Sequence, residues 1–403
     1  MRYLSKKDYS ILLGNIIDHF DTSIYIFLAP MLVPIFFPHS DPEMGLIMAY
    51  GILATSIVTR PLGTYLFGAL ARASSPPVAL SYSLIGVGVT TLLVGLLPDY
   101  DLIGKYAPIL LIIFRIFGGI FAAGESAIAK LYLIQDKADK EAHSCSYLYQ
   151  LSTVLGIFLA SMTAALIHSI DTANAWRLCF IFGGIASIIG FYIRKTSLPA
   201  PASGLQLFKF YDASGLRELW HHRRVVVRIA IVESFSQITY VIPFVSMNYL
   251  IPLFTNISLS SMMYVNSFML IFNIFAIIFI GRIVASFAPK YIMMRAGLML
   301  ALTIIPLWYF IEGASIAYVT FVRLWIIILG VAFLCPLNLW YRDQIAGDEK
   351  YIIVGMGTTL ASGIIGKLTP SICLVLYYST GSHMSVIFYA ACIFVAALFV
   401  INE

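Results

Sequence analysis

Residues 107–133 of the chain read APILLIIFRIFGGIFAAGESAIAKLYL. About 20 predominantly apolar residues are enough to cross the hydrocarbon core of a bilayer as a helix, and this stretch is longer. It nevertheless holds Arg115 and Glu125, and a charge inside a membrane span costs about 2.5–3.5 kcal/mol on insertion scales. Charged side chains kept in such a segment usually face a water-filled path. The stretch therefore predicts a membrane-spanning helix of a solute transporter.

The composition of the whole chain supports a membrane protein. Hydrophobic residues make up 60% of the 403 positions and charged residues only 11%, whereas a soluble domain carries about 25% charged residues. The formal net charge of +5 is small and favours the positive-inside rule over a nucleic-acid partner. We find no metal-ligand spacing, nucleophile elbow or phosphate-binding glycine loop, so we predict no enzyme, no metal and no cofactor.

Apolar runs between polar breaks predict an all-α polytopic protein with twelve membrane-spanning helices. Odd-numbered connections are weakly charged or acidic and even-numbered ones are basic, which places both termini in the cytoplasm. The helices are predicted near 11–36, 45–70, 78–97, 107–133, 146–168, 176–195, 225–252, 260–285, 290–311, 316–339, 350–378 and 383–401.

The longest polar stretch divides these helices six and six. We predict an N-terminal bundle over 1–195, a basic cytoplasmic linker over 196–224 and a C-terminal bundle over 225–403. Within the linker, Leu216–Trp220 fits a short helix on the membrane surface and equally a solvated linker. Two six-helix halves joined in this way are typical of transporters built from repeats.

Two acids of the first helix are candidates for proton coupling. Asp18 and Asp21 are three residues apart and share a helix face, about 10 and 15 Å from the cytoplasmic end. A buried carboxyl group near a cation can bind and release a proton within one transport cycle. The alternative is a pair of acids that bridge to basic residues. Arg60 of the second helix lies at similar depth and is suited to pair with either acid, in a static salt bridge or in gating; it is also a candidate for substrate binding.

The fourth helix combines charge with small residues. Gly118, Gly119 and Gly124 remove side-chain bulk and allow another backbone to approach closely. Arg115 and Glu125 are ten residues apart, so both can border one cavity without contact. Because arginine offers a rigid fork for a carboxylate, Arg115 is the first candidate for binding an anionic substrate, with a static ion pair as the alternative.

The second half offers three further charged candidates for substrate binding. They are Glu233, Arg323 and Lys367. The two basic residues would add positive potential to a central cavity, while snorkelling toward the membrane surface is the alternative for each residue.

Three segments resemble the metabolite:proton symporter family of the major facilitator superfamily, which includes proline/betaine, citrate, 2-oxoglutarate and shikimate carriers. The first helix matches through Gly14-Asn15-Ile-Ile-Asp18-His19-Phe20-Asp21 followed by Tyr25. The second matches through Arg60-Pro61-Leu62-Gly63, and the fourth through Arg115 with Gly119 and then Gly124-Glu125. Similarity extends over nearly the whole chain and is densest over residues 14–130.

The resemblance implies the major facilitator fold, in which two pseudo-symmetric six-helix halves rock around a central site. It implies that Asp21, Arg115 and Glu125 handle substrate or protons, while Asp18 stands where the family has glutamate. Tyr25 joins the candidates for substrate binding through the same motif.

The loop after the second helix departs from the family. Its members carry Gly-x-Leu-x-Asp-Arg-x-Gly-Arg-Arg, a charged cytoplasmic latch. This chain has Gly68-Ala-Leu-Ala-Arg72-Ala-Ser-Ser-Pro76-Pro77, and the counterpart after the eighth helix, starting at Gly281, has also lost its acid. Loss in both halves predicts a different bias of the transport equilibrium.

Together these features predict a secondary active transporter that couples protons to uptake of a small polar or anionic metabolite by alternating access. The alternatives are a proton-independent facilitator or exporter, an importer of a carboxylate-type siderophore, and a non-transporting solute sensor. The predicted partners are the solute, protons and the lipid bilayer, without nucleic acid. We expect a monomer in a bacterial cytoplasmic (inner) membrane.

Overall fold

The computed structural model describes residues 4–38, 48, 51–52, 55–168, 174–197, 214–347 and 349–402, and within these ranges the regular structure is entirely helical. We number the long helices in chain order. They are α1 (Lys6–Phe36), α2 (Ser56–Ala73), α3 (Pro76–Gly95), α4 (Tyr106–Tyr132), α5 (Asp139–His168), α6 (Ala175–Ser197), α7 (Arg223–Phe254), α8 (Leu259–Val284), α9 (Pro289–Tyr309), α10 (Ile316–Leu334), α11 (Lys350–Thr380) and α12 (Met384–Asn402).

Eleven helices among the described residues are long and apolar enough to cross a membrane. The protein is therefore a multi-pass membrane protein. The predicted second span near 45–70 falls partly outside the described residues, where α2 begins at Ser56. The acidic residues Asp41, Glu43 and Asp171 also lie outside them, as do linker residues 198–213.

The chain forms two compact units, each assembled from three segments. Unit 1 comprises Met1–Leu133, Ser152–Trp220 and Gly347–Met356, and unit 2 comprises Ile134–Leu151, His221–Ala346 and Gly357–Glu403. Helices α5 and α11 each contribute to both units. The predicted division at the linker stays a prediction.

Local sequence explains where helix α1 begins and where prolines interrupt the backbone hydrogen bonds of α1 and α2. Helix α1 starts with a capping box in which the Ser5 side chain and the Asp8 carboxylate each bond the other's backbone N–H, so two otherwise unpaired donors are satisfied. Pro30 and Pro34 inside α1 and Pro61 inside α2 each remove one backbone hydrogen bond.

Small residues hold α2 and α4 at short distance, as predicted from the glycine pattern of α4. A Cβ on Gly63 would lie 2.2 Å from the Ile120 carbonyl oxygen, and a Cβ on Gly119 would lie 2.7 Å from Thr59 Oγ1. A Cβ on Gly124 would enter the Phe67 ring. None of these three contacts leaves room for a Cβ, so the glycines set how closely the two helices approach.

Unit 2 has its own packed interior. Phe235 of α7 stacks on Phe333 of α10 with ring centroids 3.9 Å apart. Helix α7 contains a π-helical segment, Ile242–Ser246, and α11 contains another, Ser362–Gly366. Such segments interrupt the regular hydrogen-bond ladder and occur frequently at functional sites.

Substitution of Gly63 by alanine should destabilise unit 1. The added methyl group overlaps the Ile120 carbonyl, and overpacking of this kind typically costs about 1–3 kcal/mol, more than the roughly 1 kcal/mol that alanine gains over glycine in a helix. We expect a lower midpoint of thermal unfolding for the detergent-purified variant.

Gly51→Ala is the matched control, because nothing lies within 4 Å of a Cβ at that helical position. Equal unfolding midpoints for the two variants would contradict the close α2–α4 packing.

Candidate functional site

An acid of α1 and an arginine of α4 meet in the interior of unit 1. Asp21 is buried; its Oδ1 accepts a 2.6 Å hydrogen bond from the Thr91 hydroxyl of α3. Its Oδ2 lies 3.4 Å from Nη1 of Arg115. The guanidinium carbon of Arg115 lies 4.7 Å from the centre of the Tyr25 ring, a cation–π contact. The structure thus brings together three residues that the sequence selected separately.

The second predicted acid of unit 1 is held much more firmly. Glu125 forms a two-pronged ion pair with Arg194 of α6, at 2.7 Å for Oε2–Nη1 and 2.8 Å for Oε1–Nη2. Nη1 of the same guanidinium donates to the Leu80 carbonyl at 2.9 Å and Nη2 to the Ser10 carbonyl at 3.3 Å. Arg194 is 0% exposed and Glu125 1%. Both groups are therefore out of water and mutually neutralised.

Arg194 was not among the residues predicted from the sequence. It lies 69 residues from Glu125, and no local spacing connects the two. The sequence contained one indication of this guanidinium, the glycine at position 14. A Cβ at Gly14 would lie 1.9 Å from Nη2 of Arg194. The absent side chain of the Gly-Asn motif in α1 makes room for this guanidinium.

Asp18 lies on the same face of α1 as Asp21 but has a different environment. It is 2% exposed, and its Oδ1 has no hydrogen-bond partner among the described residues. Its Oδ2 lies 3.9 Å from Nδ1 of His19, and that ring nitrogen is 3.0 Å from the Asn15 carbonyl oxygen. Within the described residues, no arginine or lysine lies within ion-pair distance of Asp18.

Arg60 does not form the ion pair with Asp18 or Asp21 that the sequence suggested. It is half-buried in α2, and no lysine–carboxylate or arginine–carboxylate contact within 4.0 Å includes it in the described part of the chain. Its charge nevertheless acts on Asp18, together with the charges of Glu125, Asp21 and Arg194.

The candidates of unit 2 differ in their surroundings. Glu233 of α7 accepts a 2.7 Å hydrogen bond from Gln237 Nε2 and a short one from the hydroxyl of Tyr341, a residue that sequence reasoning did not select. Lys367 is half-buried where the π-helical segment of α11 ends.

Arg323 is the most deeply buried cation of unit 2. It is 0% exposed, and its Nη2 donates to Oδ1 of Asn266 on α8 at 2.6 Å. Its Nε and Nη1 have no hydrogen-bond partner in the described residues. A side chain covered on all sides by protein does not snorkel, so the snorkelling alternative is wrong for Arg323.

Comparison with known proteins places this geometry in context. Residues 12–201 match the family model described as "Sugar (and other) transporter". The structure superimposes on the proton:xylose symporter XylE of the major facilitator superfamily with a TM-score of 0.74, covering 98% of this chain and 94% of that chain at 15% identity. The protein has the major facilitator fold.

Two curated relatives from Escherichia coli (strain K12) extend the similarity in sequence. The inner membrane metabolite transport protein YhjE is 32% identical over 47% of this chain and 44% of its own length. The proline/betaine transporter is 30% identical over 51% of this chain and 43% of its own length. The chain thus spans less than half the length of the curated relatives it matches. The resemblance to metabolite and proline/betaine transporters is confirmed, but these matches cover about half of the chain rather than nearly all of it.

Replacement of Glu125 by glutamine should be strongly destabilising, because it leaves the Arg194 guanidinium buried without a counter-charge. Removing one partner of a buried ion pair typically costs about 3–5 kcal/mol. We expect a large fall in the thermal unfolding midpoint of the purified protein.

The double variant Glu125→Leu with Arg194→Met tests whether the unpaired Arg194 charge causes the destabilisation, because this variant carries neither charge. It should unfold at a higher temperature than Glu125→Gln alone. A single variant as stable as the parent protein would show that the pair is not buried as described.

Proposed function

We propose that the protein is a proton-coupled secondary active transporter that takes up a small metabolite with an anionic group by alternating access. The observation that carries this proposal is the buried but loose contact between Asp21 and Arg115. The relatives named above as transporters, one a proton:xylose symporter and another a proline/betaine transporter, support it. We also propose a bacterial cytoplasmic membrane as its location and a monomer as its working form.

The ion pairs of Asp21 and Glu125 differ in how firmly they are held. Glu125 and Arg194 share two contacts of 2.7 and 2.8 Å, and two carbonyl groups hold the guanidinium in addition. Asp21 and Arg115 share one contact of 3.4 Å. Because charge-assisted hydrogen bonds are strongest at about 2.7–2.9 Å, the Asp21–Arg115 pair is the weaker one. The geometry favours a structural role for Glu125 over the predicted role in proton coupling.

Protonation of Asp21 removes the charge that attracts Arg115. The hydroxyl of Thr91 retains the neutral carboxyl group, while the Tyr25 ring keeps the guanidinium in place by its cation–π contact. Arg115 then has its fork available for a carboxylate of the solute. In this scheme proton binding and solute binding favour the same state, which is the requirement for coupled uptake.

Asp18 is the second proton-binding candidate. Its buried carboxyl group has no arginine or lysine at ion-pair distance within the described residues, and a bound proton would remove the need for one. Because a nearby cation favours the ionised carboxylate, a change in the distance between Asp18 and Arg60 during the cycle would change how strongly Asp18 binds a proton.

Arg323 supports an anionic rather than a neutral solute. A buried guanidinium with two unpaired N–H groups has an unmet need for an acceptor. Within the described residues no acid lies within 4.0 Å of it. A carboxylate would give one of the free donors an acceptor and neutralise the charge, whereas the carboxylate of a betaine brings its own cation along.

Asp21→Asn should abolish accumulation driven by a pH gradient in proteoliposomes, while exchange of solute across the membrane without a gradient persists. Asparagine keeps the size of the side chain but cannot bind and release a proton. The measurement is uptake of radiolabelled solute at the concentration plateau, with and without an inward proton gradient.

Asp101→Asn serves as the control, since Asp101 is exposed in the short helix between α3 and α4. It should accumulate solute as the parent protein does. Undiminished accumulation by Asp21→Asn would refute coupling through this pair, and accumulation that persists in a collapsed gradient in the parent protein would indicate a facilitator.

Arg323→Gln should weaken binding of dicarboxylates and tricarboxylates by about tenfold or more, as expected for loss of a charge-assisted bond worth about 1.5–3 kcal/mol. Binding is measured by thermal shift of the purified protein against carboxylates and against betaines. Arg228→Gln is the control, because Arg228 is another partly buried arginine of unit 2, whose Nη2 donates to the Val400 carbonyl at 3.3 Å. An equal loss of betaine binding would contradict recognition of net negative charge.

A further inference from the structure

The linker between the two halves contains a short helix, Ser214–His221, that is attached to the end of α2. The side chain of Glu218 forms an ion pair with Arg72, and both side chains are partly buried. Next to this pair, Gly215 packs on the Tyr65 ring, where a Cβ would lie 3.0 Å from Cε2. Arg72 stands where relatives carry the acid of the cytoplasmic latch, so its positive charge now holds the linker helix.

The position of this contact along the chain places the helix at the edge of the membrane. Arg72 lies four residues before Pro76, where the membrane-spanning helix α3 begins. The linker helix ends at His221, and the membrane-spanning helix α7 begins at Arg223. An eight-residue helix is only about 12 Å long. Its contact with Arg72 and its closeness in sequence to the start of α7 are what an orientation along the bilayer surface requires.

The face turned away from α2 is apolar. Leu216 is 62% exposed and Trp220 is 73% exposed, and four residues of spacing put them on one side of the helix. Glu218 lies between them in sequence and roughly 160–200° away around the helix axis. One face is thus clamped to protein, while the opposite face presents a leucine and a tryptophan, the residue type enriched at the level of lipid headgroups.

The charges around this apolar face are positive. Arg217 is exposed on the helix, and Arg223 and Arg224 follow it as exposed residues. The negative charge of Glu218 is neutralised by Arg72. Basic residues next to a membrane span are attracted to anionic headgroups, and amphipathic helices with tryptophan and leucine on one face bind in the interface.

From these contacts we infer that Ser214–His221 is an interfacial anchor that inserts Leu216 and Trp220 among anionic phospholipids, with the Arg72–Glu218 ion pair as the clamp that holds it in this orientation. This inference concerns the linker alone and does not rest on the proposed function. It commits to a lipid surface rather than a protein partner.

Trp220 fluorescence in vesicles tests the inference without any transport measurement. The full-length protein is reconstituted in phosphatidylcholine–phosphatidylglycerol vesicles with plain or brominated acyl chains, which quench tryptophans that contact them. Because the chain has five tryptophans, the fluorescence of Trp220 is obtained as the difference in fluorescence between the parent protein and Trp220→Phe. We expect brominated lipid to remove this difference and acrylamide in the water phase to leave it largely unchanged. A difference that persists in brominated lipid would overturn lipid insertion. Acrylamide would then remove the difference if the face is bare and leave it if the face is covered by protein.

Two further comparisons test the charge and the clamp. Quenching of Trp220 by brominated lipid should be weaker without phosphatidylglycerol and in Arg217→Gln. Equal quenching in both lipids would overturn the selectivity for anionic headgroups.

The ion pair is tested in the same way. Glu218→Gln should also weaken the quenching of Trp220, and the exchanged pair Arg72→Glu with Glu218→Arg should restore the quenching. Quenching unaffected by Glu218→Gln would overturn the role of the clamp.

Discussion

The structure depends on neutralising charge where water is absent. Within unit 1 the Glu125–Arg194 pair meets this constraint most fully: each carboxylate oxygen receives one N–H group, and two backbone carbonyls accept further hydrogen bonds from the guanidinium, whose Nε has no partner in the described residues. The carboxylate, the guanidinium and the two carbonyls come from α1, α3, α4 and α6. An ion pair of this kind adds little net stability over apolar packing, but its hydrogen bonds connect these four helices.

The same constraint is met less completely at the residues proposed to move solute and protons. Asp21 and Arg115 share one longer contact, Asp18 has no cation at ion-pair distance in the described residues, and Arg323 has two N–H groups without acceptors. Each incomplete contact is a place where a proton or a carboxylate would be stabilised on arrival. Arg115 of the loosely held pair and Glu125 of the firmly held pair stand ten residues apart on the same helix, α4.

The altered latch sequence follows the same logic at the membrane edge. The resemblance implies an acid at the position of Arg72, and a positive charge there needs a different partner. The structure provides Glu218 from the linker helix. Unit 2 contains another such pair, Arg342 with Asp139 at 2.7 Å. The positive charge at position 72 is thus paired with the linker helix.

Much of this protein could be predicted from the sequence. Apolar runs about 20 residues long are a local property, so the number and approximate limits of the helices followed from hydropathy, and α7 and α11 lie within a few residues of their predicted ranges. The glycines of α4 predicted close helix packing, because a missing side chain is visible in the sequence and allows another helix to approach. Asp21, Arg115 and Tyr25 were selected by their cost in a membrane and by motif.

Only the tertiary structure decided how these charges are paired. Arg194 lies 69 residues from Glu125 and was not selected, Arg60 does not form its expected ion pair, and Arg323 is enclosed rather than snorkelling. The partner of a buried charge depends on the rotation and depth of neighbouring helices, which are fixed by packing between residues far apart in the chain. The sequence by itself determined a membrane-spanning helical protein with costly charges at named positions. The three-dimensional packing determined which of those charges have close partners and which have a distant partner or none among the described residues.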